Sequence, residues 1–207
     1  MTEQMIEELT ILSSIEMGHA IDYFYGKENE YGGFFSSNYT DSNGMSLFYY
    51  NKQDVNNTVN NEIDALFQTA PYNTWSAAVQ QKARDVVVNN LINNNLNHSN
   101  LTSDEQTLQR SVSTSISSSL RGAENEAASD VYGGISGNLL RGNYGHPDNY
   151  WVNTDGTINQ TTEKECFAEY YGIIMTEDPR QTDGLNSINN HLPNSQDFMD
   201  QMFLEMS

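Results

Sequence analysis

The chain has 207 residues and a net charge of −19, from 9 Lys and Arg against 28 Asp and Glu. Hydrophobic residues make up 37% and mean hydropathy is −0.63, but the 11% aromatic content is high for a disordered chain. So few basic residues do not easily build the cationic face that DNA, RNA or an anionic membrane needs, and direct nucleic-acid or membrane binding is not expected.

The length suits one domain with a real core. The single cysteine, Cys166, excludes an internal disulfide and Cys-based zinc motifs. Within "ECFAEYYGIIM" it reads as a small buried hydrophobe. The opening "MTEQMIEELT" lacks a basic start and an apolar centre, so no signal peptide is expected. No apolar run approaches the length of a membrane span. Acidic runs such as "TSDEQ" and "AENEAASD" read as solvated faces.

Residues 3–26 read as a helix with Leu12, Ile15, His19 and Tyr23 on one face, and Gly26 as its stop. "KENEYGGFFSSNYTDSNG" (27–44) reads as a loop held down by its aromatics. Residues 51–69 carry Val55, Val59, Ile63 and Leu66 at helical spacing. A second such helix starts after Thr74, with Trp75, Val79, Val86 and Leu91 to bury. Residues 102–120 show a capping signal, Ser103 with Gln106, and the stripe Leu108, Val112, Ile116 and Leu120. Residues 123–151 read as a short helix followed by a glycine-rich loop without nucleotide-binding spacing. "TTEKECFAEYYGIIM" (161–175) is helical, capped by Thr161 or Thr162, with acids in its first turn. The closing stretch, 194–207, puts Phe198, Met202 and Met206 on one stripe. A Met-rich stripe suits a core or an adaptable binding surface, and these three are candidate interaction residues.

The chemistry concentrates in "IEMGHAIDY" (15–23). A zinc peptidase needs two histidines one helical turn apart, with a glutamate beside the first as general base. Glu16 and His19 are in place. Ile15 stands where the first histidine belongs, one turn before His19.

Three stretches resemble the zincin-like metallopeptidase family, in its lethal-factor-like and phage-head-associated forms. "IEMGHAIDY" is similar to the family's His-Glu-x-Gly-His-Ala-Val/Ile-Asp. "ASDVYGGISGNLLRGNYGHPDNYW" resembles its Ser-Asp-Ile-x-Gly-Gly…Gly-His-x-x-x-Tyr-Trp segment. "KECFAEYYGIIMTEDPRQTDGLNSINNHLPNSQDFMDQM" resembles its Glu-x-Phe-Ala-Glu helix, turn and closing helix. The resemblance leaves about residues 27–122 unmatched, as a helical insertion in one domain spanning 1–207. It implies metal-ligand positions at Ile15, His19 and Glu165, a general base at Glu16 and an oxyanion-steadying tyrosine at Tyr150. Asp22 and Glu169 would orient the ligands.

Isoleucine has no lone pair to give, so two of three ligands remain. Four-ligand structural zinc sites gain about 10–16 kcal/mol, so one lost ligand weakens binding on the order of a hundredfold. His146 and His98 are the candidate substitutes. The family's substrate-holding β-sheet is expected to be reduced or absent, since the residues before Ile15 read as more helix. The expectation is therefore a mainly α, catalytically inactive scaffold without a cofactor. It would be a structural or assembly protein of a phage virion (ring, collar or head–tail neck) made in the host cytoplasm. Its partners would be other virion proteins and copies of itself. The alternatives are a working zinc metallopeptidase with a substitute ligand, and an acidic effector that binds a host protein.

Overall fold

Residues 3–93, 101–155, 157, 161–175 and 180–207 are described by a computed structural model. The side chain of Leu12 and all of His98 lie outside the described part. The architecture is mainly α, as the periodicities predict, and no sheet forms among the described residues beyond an isolated Thr40–Ser46 bridge. The helices are α1 (Glu3–Glu28), α2 (Phe35–Asn38), α3 (Leu47–Phe67), α4 (Ala77–Ile92), α5 (Ser103–Ser119), α6 (Glu126–Ser136), α7 (Asp148–Trp151), α8 (Thr162–Met175), α9 (Arg180–His191) and α10 (Pro193–Glu205).

Helix α3 is central, touching α4, α5, α6, α8 and α10. Its Val55, Val59, Ile63 and Phe67 recur every fourth residue and are buried. Phe67 takes the inward place expected of Leu66, which is only partly buried. Helix α5 buries the expected Leu108, Val112 and Ile116, and Leu120 just beyond it. Its cap lies one residue earlier than the sequence suggests. Thr102 accepts from the Glu105 amide, and the Glu105 side chain accepts from the Thr102 amide.

Helix α4 corrects the sequence register. A 3-10 turn at Tyr72–Thr74 precedes it, and Ser76 caps it. Ala83, Val87 and Leu91 face inward, while Val79 is exposed and Val86 only partly buried. The run of three valines at 86–88 fits several faces, so spacing alone does not choose one.

The expected short helix is α6, which takes in Gly133 and Gly134 and ends at Gly137 in the left-handed region (φ 61°); the glycine-containing loop follows it, with Gly142 and Gly145. Gly133 and Gly134 are buried inside α6 because neighbours come too close for side chains. A Cβ at Gly134 would lie 2.4 Å from Thr162 Oγ1. Close approach, rather than a turn, explains these glycines. Helix α9 was not read from the sequence, because its Asn, Ser and Gly content masks a short stripe of Leu185 and Ile188.

Helix α10 begins with Pro193 and is capped from outside by Asp54 of α3. The buried Asp54 carboxylate accepts from the amides of Asn194 (3.2 Å) and Ser195 (2.9 Å) and from the Ser195 hydroxyl (2.7 Å). Phe198 and Met202 on this helix are buried, and Met206 packs partly buried against the same core. Their assignment as interaction residues is therefore corrected: they fill this chain's own interior. Cys166 is buried beside Asn51 and Met199, and burial pushes its thiol pKa up, as befits a core residue.

Candidate functional site

The site depends on how closely α1 approaches α8, the most extensive helix pairing in the molecule. Small residues make that approach possible. A Cβ at Gly18 would lie 2.8 Å from the Ala168 Cα, and one at Gly172 would lie 3.0 Å from Ile15 Cγ1. The helices thus run antiparallel, with Ile15 against Gly172, Gly18 against Ala168 and His19 against Glu165.

His19 Nε2 lies 3.2 Å from Glu165 Oε2. That bond raises the His19 pKa; burial opposes the rise, and the charges of Glu165, Glu16 and Asp22 reinforce it. Burial alone would raise Glu165, but hydrogen bonds from His19 and Tyr150 outweigh it and hold this carboxyl below its ordinary value. Tyr150 donates a very short hydrogen bond to Glu165 Oε1. Burial, then the Glu165 carboxylate, pushes the Tyr150 pKa up.

His146, in the loop between α6 and α7, lies at the rim of the site. Asp130 of α6 holds it twice, accepting from its amide (2.7 Å) and pairing with Nδ1 (2.9 Å). Its ring stacks on Tyr150 at 3.9 Å between centroids. The Asp130 bond raises the His146 pKa against the opposing effect of burial.

His19, Glu165, His146 and Asp130 line an open cleft of about 290 Å³ with Ile15, Glu16, Glu126 and Glu169. Glu16 is exposed there. Glu126 and Asp130 were not chosen from the sequence as site residues. The available signal was their four-residue spacing beside "GGISG", which looked like loop and so hid the shared helix face.

Asp22 has a different role from the one the resemblance implies. It is fully buried and accepts from the Ser36 amide (2.7 Å) and hydroxyl (2.5 Å), tying α2 to α1. Burial raises its pKa to about 6 despite those bonds. Glu169 is also not seen orienting His19 or Glu165. It sits deeper, where burial and then the charges of Glu126, Asp130 and Glu165 hold its pKa well above the ordinary value.

Ile15 offers no lone pair, His19 and Glu165 already pair with each other, and His146 is held by Asp130. Among the described residues no group of three His, Cys, Asp or Glu is arranged to hold a metal ion. Comparison of the chain with protein-family profiles, curated proteins and solved structures finds no match.

Proposed function

We propose that the chain is a non-catalytic, zincin-like scaffold that acts in assembly, as a structural component of a phage virion. The observation that carries this reading is Ile15. It occupies the first ligand position on α1 and packs on Gly172 of α8, one turn from a His19 already engaged by Glu165. An apolar side chain there, partly buried against α8, supports the helix pairing and contributes no metal ligand. The phage part of the reading rests on the sequence resemblance of the three stretches. The acidity supports partners other than nucleic acid, and no described helix is long and apolar enough to cross a membrane.

One observation favours a second reading, a zinc peptidase that recruits His146. Asp130 fixes Nδ1 of that ring and so would orient its other nitrogen, an arrangement common around metal-binding histidines. Incubating the purified chain with a broad peptide library, with light scattering alongside, separates the two. The scaffold reading expects self-association and intact peptides. Chelator-sensitive cleavage that Glu16→Gln abolishes would replace it with the peptidase reading.

A further inference from the structure

Two cavities meet at one pair of carboxylates. The cleft described above lies on one side of Glu126 and Glu169. On the other side lies a second cavity of about 190 Å³, lined by Ala123, Ala127, Ile173 and the acids Glu124 and Asp183. Glu126 and Glu169 line both, so the two form one acidic groove with apolar walls along α6 and α8.

Glu169 is 7% exposed, yet its carboxylate has no hydrogen-bond donor among the described residues. Buried carboxylates are normally paired, and an unpaired one is costly. The nearby imidazoles do not serve it: His19 is engaged by Glu165 and His146 by Asp130. Burial and the neighbouring acids favour the protonated form of Glu169, and a cation entering the groove would favour its carboxylate. Among the described residues the acids are not arranged to chelate a metal ion. A planar, weakly hydrated guanidinium tolerates wider spacing. It offers five donors in a fork and is easier to desolvate than an ammonium. Its aliphatic stem suits the Ala and Ile walls.

We propose that the groove at Glu126 and Glu169 binds an arginine side chain carried by a segment of a protein partner. The guanidinium sits between the two carboxylates, and apolar neighbours of the arginine lie against Ala123, Ala127 and Ile173. That the occupant is a partner, not a substrate, rests on the non-catalytic reading above. A chain of net charge −19 attracts basic partners at long range. The groove adds a buried anchor, which confers selectivity that surface charge alone lacks.

The test uses the full chain, labelled with ¹⁵N, and the peptide acetyl-Ala-Leu-Arg-Leu-Ala-amide at physiological salt. The control peptide carries citrulline in place of Arg, which keeps the shape and removes the charge. The expected result is saturable binding that shifts the α6 and α8 amides around Glu126 and Glu169. Citrulline and the variant Glu169→Gln should each weaken binding about tenfold or more. Glu28→Gln, an exposed acid elsewhere on α1, should leave it unchanged. Glu169→Gln removes the ionisable carboxyl and keeps shape, and Glu126→Gln repeats the test from the less buried partner. Equal binding of the two peptides, or equal loss with Glu28→Gln, would show only diffuse attraction and overturn the site. Recovering the bound peptide intact by mass spectrometry supports a partner. Its cleavage would overturn the partner assignment and the non-catalytic reading together, while failure to bind would overturn the groove proposal alone.

Discussion

At His19 a ring nitrogen that could grip a cation meets Glu165 Oε2 instead. The raised His19 pKa means this contact stabilises the fold fully below about pH 6.5 and fades as pH rises through the folded value. Glu165 is the main cause, so Glu165→Gln should lower the His19 pKa, read from the imidazole proton shift across a pH titration. An unchanged pKa would mean the pair is not formed in solution. Asp22 gives a second test of the same sign in a more acidic window. Its folded pKa of about 6 lies above the ordinary aspartate value, so its contribution to stability is present at low pH and lost as pH rises toward about 6. Asp22→Asn keeps an acceptor for the Ser36 amide and removes the ionisation. Its melting temperature should fall less from about pH 4 to 6 than that of the wild type. A parallel decline in both proteins would place the titration elsewhere. The juxtaposition of His19, Glu165 and Tyr150 was legible in the motif. The Asp22–Ser36 bond was not, because it joins a helix to a stretch read only as loop.

At the scale of elements, the α1–α8 pairing decides whether a site exists at all. Gly18 is mid-helix, where alanine is normally better by about 1 kcal/mol. Here its Cβ would meet the Ala168 backbone at 2.8 Å, and backbone cannot yield as a side-chain tip can. Gly18→Ala should therefore destabilise, by about 1–3 kcal/mol in chemical denaturation, as overpacked positions do. A stabilised variant would contradict the close approach. Elements with one clear stripe, α3 and α5, were readable because each buries a single face. Those with ambiguous or small residues were less so: the valine run hid the α4 register, the glycines at 133 and 134 obscured where α6 ends, and polar content concealed α9. In each case tertiary approach, which leaves only a faint trace in local sequence, chose the outcome.

Across the whole molecule, polar composition coexists with a continuous core because aromatics and methionines concentrate inward. Phe35 meets Tyr25, Tyr31 and Tyr39, and Phe198 meets Tyr39 and Tyr50, joining the ends of the chain to its middle. The stretch 27–122, unmatched by the resemblance, shares this core through α3, α4 and α5. The excess negative charge is left for the surface and for the groove beside α6 and α8. The account's central claim is that a helix-packing isoleucine occupies the position of a metal ligand. Zinc content by mass spectrometry, on wild type and Ile15→His purified without chelator, tests it most directly. The account predicts no stoichiometric zinc in the wild type and one zinc per chain in Ile15→His, held by the new imidazole, His19 and Glu165. One tightly bound zinc per wild-type chain would contradict it, as would an Ile15→His protein that folds and still binds none.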